Sequence, residues 1–413
     1  MTDYNTITTL AEKYGTPLYV YNRQIFEKNA DILLNTILPG ARLFYSIKAN
    51  PLVGVCQIFR NKGLGIECAS AGELKTAVKA GFEGQDIVFT SPGKTAAEIS
   101  LAMEIGVKVI NVETVAEAQL IDAIASERGV NYPIAVRINP AISYSNAKIK
   151  MAGVSSQFGI EEADIDTAIP EILALNHVTL IGVQMYMGTE ILMYEDAVSN
   201  TEYGIKLATA MAEKFDFRLK YLNVGGGFGV KYFPNESPLD TDALAAAMKE
   251  LKATYAEVLA DTEVIFESGR FLTATAGEYI TRVLYVKESK GTKYVVCDGG
   301  SSFHSASAFL GRFVRNNFPL HVFPEGEEKT VTTITGPLCT PLDVIGQKVE
   351  INANIAPDDY VVIENSGAYG LTYSPVFFLG HELPAEVLID GEDVIVLRES
   401  QDADILLRGQ HTL

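Results

Sequence analysis

Cysteine is scarce in this chain, and its four copies lie far apart. Cys56, Cys68, Cys297 and Cys339 form no C-x-x-C pair and have no histidine cluster beside them. That pattern argues against a zinc site or a disulfide framework and fits reduced thiols in a cytoplasmic setting. Basic residues are also in deficit: 33 Lys and Arg face 52 Asp and Glu, a net charge of −19. Neither nucleic acid nor an anionic membrane surface is expected as a partner, and any anionic ligand must be held by local groups. The opening "MTDYNTITTLAEKYG" lacks a basic region followed by an apolar core, and no stretch approaches ~18 consecutive apolar residues, so neither a signal peptide nor a membrane span is expected. There is no repeat of fixed period and no low-complexity linker.

What remains is an ordinary globular composition. The 413 residues are 47% hydrophobic and 21% charged, enough for two domains or for one large barrel with an appendage. Eight short apolar or β-branched runs recur: "ARLFYSIKA" (41–49), "LGIECAS" (64–70), "DIVFTS" (86–91), "VKVINVE" (107–113), "PIAVRINP" (133–140), "LIGVQMYMG" (180–188), "YLNVGGG" (221–227) and "EVIFESG" (263–269). Between them lie segments with apolar residues at three- and four-residue spacing, such as 71–82, 95–106 and 113–129. This alternation predicts βα units around a parallel sheet, and the number and length fit a (β/α)8 barrel; periodicity alone leaves an open doubly wound sheet possible. Past residue 275 strand-like runs separated by Gly, Asp and Pro predict a β-rich second domain, with which the early "TPLYVYN" (16–22) can pair. The expected division is a barrel over 24–275 and a β-rich domain made of 1–23 with 276–413.

In such a barrel, chemistry gathers where the strands end. Those ends read Lys48, Glu67 to Ser70, Ser91 to Lys94, Arg137 to Pro140, Tyr186 to Thr189, Gly225 to Gly227 and Glu267 to Arg270. Taken alone, Lys48 reads as a strand-end cation with its head in solvent. "VGGGFG" (224–229) and "ESGR" (267–270) supply glycine amides and an arginine, a usual means of holding phosphate, although three glycines alone are more often a tight turn. A lysine able to form a Schiff base and an acid to partner a pyridine nitrogen complete what pyridoxal phosphate requires.

"YSIKANP", "GIECASAGEL", "VGGGFG", "ESGR", "GPLCTPLD" and "NSGAYG" occur in the order, and at roughly the spacing, of the fold-type III pyridoxal-phosphate decarboxylases. The chain resembles that superfamily of diaminopimelate, ornithine and arginine decarboxylases from about residue 15 to 385. The resemblance implies an alanine-racemase-like barrel, a C-terminal β-domain, and a head-to-tail homodimer with active sites shared at the interface. By matching position, Lys48 resembles the Schiff-base lysine and Glu267 the carboxylate on the pyridine nitrogen. Gly226, Gly227, Gly269, Arg270 and Tyr369 resemble the phosphate-binding set. Cys339 and Asp343 resemble residues that reach the neighbouring subunit's site, the cysteine to protonate the product and Asp343, with Tyr369, to bind substrate. Glu67 and Arg137 either form a charge pair near the lysine or brace the barrel.

The pattern departs from the better-known members in specific places. Where diaminopimelate and ornithine decarboxylases carry "H-V/I-G-S", this chain has "YMGT": Tyr186 can stack on the cofactor ring, but a phenol with a pKa of about 10 is no base near neutral pH. Where diaminopimelate decarboxylases show "C-E-S-x-D", this chain has "CTPLD", with Thr340 replacing the glutamate that reads the substrate's distal centre. These variants resemble decarboxylases of natural-product and siderophore pathways, including the carrier-protein glutamyl decarboxylases, which act on an amino acid already conjugated at its far end. The expected substrate is therefore a carrier-tethered or otherwise conjugated amino acid. The rivals are free diaminopimelate, ornithine or lysine, and a non-catalytic regulatory homologue that has kept the barrel. Arg312 and Arg315 either bind a substrate carboxylate or a carrier's phosphate, or form a solvated cationic edge. His304 reads as structural, or as lining the site without catalysing.

Overall fold

The computed structural model describes residues 2–141, 149–150, 155–308 and 317–413. They fall into two compact units, one of Glu27–Lys231 with Ser237–Leu272 and the other of Met1–Phe26, Tyr232–Glu236 and Thr273–Leu413.

The first unit is built on eight parallel strands, β1 (Arg42–Ser46), β2 (Gly65–Cys68), β3 (Ile87–Thr90), β4 (Val109–Val112), β5 (Tyr132–Asn139), β6 (Val178–Met185), β7 (Tyr221–Gly226) and β8 (Glu263–Ser268). Each pairs in parallel with the next in chain order, and β8 returns to β1 through pairs such as Glu267 with Phe44. The ring is closed. The open-sheet alternative is thereby excluded, and each strand coincides with one of the eight apolar runs.

The surrounding helices start where capping chemistry puts them. Thr95 and Glu98 form a capping box at the start of helix Ala96–Ile105, and Ser70 and Thr114 accept the amides of Glu73 and Glu117 at the starts of two others. Gly106 and Gly129 end their helices in the left-handed conformation, which costs a glycine nothing.

Inside the barrel the period of two along each strand divides the core into storeys. Phe44, Val88, Val109, Ala135, Tyr221 and Ile265 form one buried apolar cluster. Two residues further along the same strands, hence on the same face, come Ser46, Thr90, Asn111, Arg137, Asn223 and Glu267, all of them buried. An apolar plug thus underlies a buried polar storey at the carboxyl ends of the strands, and unsatisfied polar groups are costly there unless they bind one another or a ligand.

The second unit is β-rich. The early strand Leu18–Asn22 pairs antiparallel with β9 (Gly277–Ser289) and parallel with a late strand over Ala385–Asp390. The core gathers Ile7, Leu10, Leu18, Val20, Ile280, Phe323, Val362 and Val387. Ile7 and Leu10 arrive on helix Tyr4–Tyr14, capped by Asp3, which the sequence pattern does not announce. The pattern also assigns Tyr232–Glu236 to the barrel. In the structure Tyr232 and Phe233 pack their rings against Phe318 of the second unit's own chain segment.

Candidate active site

β1 leads directly into a single 3-10 turn, Ile47–Ala49, that presents Lys48. The turn is pinned from beyond: the Tyr45 hydroxyl donates to the Asn50 carbonyl at 2.7 Å, and the Asn50 side chain accepts the Leu52 amide. Gly269, leaving β8, passes so close that a Cβ there would stand 2.8 Å from Ala49 Cβ. The lysine side chain is 44% exposed, but its head is paired. Its Nζ donates to Glu67 Oε2 at 3.0 Å, and Glu67, at the end of β2, is 2% exposed. Glu67 and Arg137 do not pair with each other: Arg137 Nη1 donates to Glu113 Oε1 at 2.8 Å and its guanidinium lies over the Phe158 ring. Both braces are therefore filled, by different partners.

Glu267 lies wholly buried at the end of β8, and its carboxyl is pushed up to about 7, by burial first and the nearby Glu67 carboxylate second, with Lys48, Asn223 and Arg137 opposing. Glu73, on the helix after β2, is likewise pushed up to about 7 by burial and by Glu67. Asn223, which sequence reasoning missed, ties Glu267 to the glycine turn: its Nδ2 donates to Glu267 Oε1 at 2.6 Å while its Oδ1 accepts the Gly225 amide at 2.9 Å. Asn223 Nδ2 also reaches the Tyr221 hydroxyl at 3.0 Å, and across the storey Asn111 donates to Thr90. The signal for Asn223 is present in the period-two spacing from Tyr221, although an Asn within "YLNVGGG" does not look different from turn chemistry.

The glycine run has no room for side chains. A Cβ at Gly226 would lie 1.9 Å from the Glu267 carbonyl oxygen, and one at Gly227 2.0 Å from that of Gly188. Gly225 and Gly227 hold φ of +68° and +74°, which β-carbons disfavour. Tyr186 follows β6, and its ring comes within 2.9 Å of where a Gly225 Cβ would stand. Arg270 opens the short helix Arg270–Thr273, with Nη2 3.5 Å from Glu190 Oε1. Glu190 is 4% exposed and holds φ +60°, and sequence reasoning did not single it out. Lys94, which lies at a strand end as expected, is a strut: its Nζ donates to the carbonyls of Ser91 and Asn111 at 2.7 Å and to Glu117.

A primary amine, a buried acid, a bare run of backbone amides, an arginine and an aromatic ring thus stand at one end of one barrel. This set fits pyridoxal phosphate: the amine suits its aldehyde, the acid its pyridine nitrogen, the amides and the arginine its phosphate, and the aromatic ring its ring face. Among the described residues no group of three or more His, Cys, Asp or Glu is placed to hold a metal, and no helix is long and apolar enough to cross a membrane.

The remaining expected residues belong to the second unit. Cys339 is exposed while Cys56, Cys68 and Cys297 are buried. Tyr369 has φ +55° and packs edge-on against Tyr373. Asp343 does not present a free carboxylate to substrate: it is 2% exposed, and its two oxygens accept the amides of Ser301 at 2.7 Å and Leu338 at 2.8 Å. His304 is fully buried, stacks on Tyr279 at 5.3 Å, and is pushed down to about 4 by that burial. Arg312 and Arg315 lie outside the described residues.

Comparison with known proteins identifies the family. The family model described as "Pyridoxal-dependent decarboxylase, pyridoxal binding domain" matches residues 24–274. The chain is 37% identical, over 99% of its length and 96% of the relative's, to the L-glutamyl-[BtrI acyl-carrier protein] decarboxylase of Niallia circulans. It is 31% identical, over 91% of its length and 94% of the relative's, to the 2-[(L-alanin-3-ylcarbamoyl)methyl]-2-hydroxybutanedioate decarboxylase of Staphylococcus aureus. Among solved structures, the diaminopimelate decarboxylase of M. jannaschii in complex with L-lysine superposes with a TM-score of 0.88 at 26% identity, covering 98% of this chain and 94% of that one.

Proposed function

The chain belongs to the pyridoxal-dependent decarboxylase family, and from that premise we propose that it removes the α-carboxyl group, as carbon dioxide, from an amino acid already conjugated at its far end. The observation that carries the reading is Glu267, a wholly buried carboxyl held by Asn223 beside the Lys48–Glu67 pair. Bound pyridoxal phosphate supplies an electron sink for the pair left on Cα when carbon dioxide departs, and an acid on its ring nitrogen deepens that sink.

The protein's own groups divide the remaining work. Lys48 is the amine that would hold the cofactor's aldehyde, and Glu67, which accepts from its Nζ, orients that amine. Glu267 keeps a proton at the ring nitrogen. The amides of the Gly225–Gly227 turn, with Gly269 and Arg270, would hold the phosphate, and Tyr186 would offer the ring a flat face. Cys339 of the partner subunit returns a proton from its thiol to Cα, and the thiolate is reprotonated from solvent. This last role rests on a homodimer with shared sites, which the sequence resemblance implies.

The conjugated substrate is supported by two lines. "YMGT" and "CTPLD" replace the segments that serve free diaminopimelate, and the relatives at 37% and 31% identity are named for a carrier-bound glutamyl group and a citrate-derived amide. The likeness to a diaminopimelate decarboxylase structure favours a second reading, in which free diaminopimelate is the substrate. Carbon dioxide release from a panel of free amino acids, carrier-tethered glutamate and citryl-conjugated diamino acids separates the two.

A further inference from the structure

Cys339 is carried on the loop 336–340, an exposed thiol directly after a buried Leu338. The thiol's place depends on how that loop is tied down, and the ties converge on one carboxylate. Asp343 Oδ2 accepts the Leu338 amide at 2.8 Å, one residue before the cysteine. Its Oδ1 accepts the Ser301 amide at 2.7 Å, from a different stretch of chain. Its own backbone closes the loop from both sides: the Asp343 carbonyl accepts the Gly336 amide, and the Asp343 amide donates to the Thr340 carbonyl. Gly300 and Gly336 are bare where they meet it, since a Cβ at either would fall 2.3 or 2.4 Å from a carboxylate oxygen. A buried carboxylate bonded to two backbone amides is a rigid fixture, because each charged hydrogen bond is strong and leaving the oxygens unpaired is costly.

We propose that Asp343 is a positioning residue: it clasps the Cys339 loop to the Gly300–Ser301 turn and acts on catalysis through the thiol, without touching substrate. The catalytic part of this inference rests on the reading of Cys339 as the proton donor.

The test uses the full-length holoenzyme and two variants that disturb the clasp from opposite sides. Asp343→Asn keeps the shape but replaces one accepting oxygen with a donor facing an amide N–H. Gly300→Ala drives a methyl group into the carboxylate. The first readout is the rate of Cys339 alkylation by iodoacetamide, followed by mass spectrometry; the three buried cysteines leave Cys339 as the single reactive thiol. Both variants are expected to change that rate by about fivefold or more, and to lower kcat by about tenfold or more with KM and cofactor affinity within about twofold, as displacement of a catalytic group by roughly an ångström does. In a Cys339→Ala background Asp343→Asn is expected to cost no further kcat, because residues acting as one unit are not additive.

An unchanged alkylation rate in both variants overturns the proposal. So does a raised KM in Asp343→Asn, or a further loss of kcat in the double variant, either of which gives Asp343 a contact of its own with substrate. Should Cys339→Ala retain full turnover, the proton-donor role fails instead, and the alkylation rates still decide whether Asp343 positions the loop.

Discussion

Asn223 Nδ2 stands 2.6 Å from Glu267 Oε1, and through its other side-chain atom Asn223 also holds the amide of Gly225. One fully buried side chain therefore joins the acid of the site to the glycine turn, so the two halves of the cofactor cradle share a fixture.

Removing that fixture leaves a buried carboxyl and a buried amide without their partner. Asn223→Leu is expected to destabilise the protein by about 2–6 kcal/mol, since each of the two groups left without a partner costs about 1–3 kcal/mol. Chemical denaturation of the cofactor-free protein checks the loss, and equilibrium dialysis is expected to show weaker cofactor retention.

The raised carboxyl of Glu267 has a consequence for stability against pH. A carboxyl at about 7 in the fold and near 4.5 unfolded keeps a proton that the unfolded chain has already released, so its contribution falls as pH rises from about 4.5 to 7. Glu73 adds a loss of the same sign over the same window, whereas buried His304, at about 4, takes stability away as pH falls below about 6.5. In cofactor-free protein Glu267→Gln is expected to remove part of the decline between pH 4.5 and 7 and to leave the His304 loss in place. Melting temperature against pH reads this; a variant parallel to wild type across that window contradicts it.

Lys48→Ala is expected to abolish both covalent retention of the cofactor after borohydride reduction and all turnover. Cys339→Ala is expected to keep the bound cofactor's absorbance and to lose most of kcat. Retained turnover in the lysine variant overturns the mechanism.

Gly226→Ala places a methyl group 1.9 Å from the Glu267 carbonyl, where only backbone can yield. Cofactor binding is expected to fall by about two orders of magnitude or more, because a shift of about 1 kcal/mol in several converging contacts multiplies. Circular dichroism, to confirm the fold, and cofactor titration check it together.

The barrel is legible in the sequence because each of its strands is an apolar run bounded by turn chemistry, and because Lys48, Glu267 and the glycines lie at run ends. Closure is not legible, since the pairing of Glu267 with Phe44 spans the whole unit and leaves no local trace. Glu67 and Arg137 are visible as charges at strand ends, but which partner each takes depends on neighbours in space, Lys48 and Glu113, that spacing along the chain cannot rank. Asp343 stands out by its motif, yet the motif suggests a substrate contact that its geometry does not support. A motif marks a position, whereas the two amides that consume the Asp343 carboxylate are brought to it only by folding. Asn223 escapes notice because its polarity is hidden in an apolar strand, and only the storey it shares with Glu267 gives it meaning.

The central claim is a decarboxylase whose substrate is conjugated at its far end. The most direct measurement is mass spectrometry of the purified holoenzyme incubated with carrier-tethered glutamate, citryl-conjugated diamino acids and free meso-diaminopimelate, following loss of carbon dioxide, about 44 Da. The account predicts rapid loss from a conjugate and little from the free amino acid; rapid turnover of free meso-diaminopimelate with none of the conjugates would contradict it.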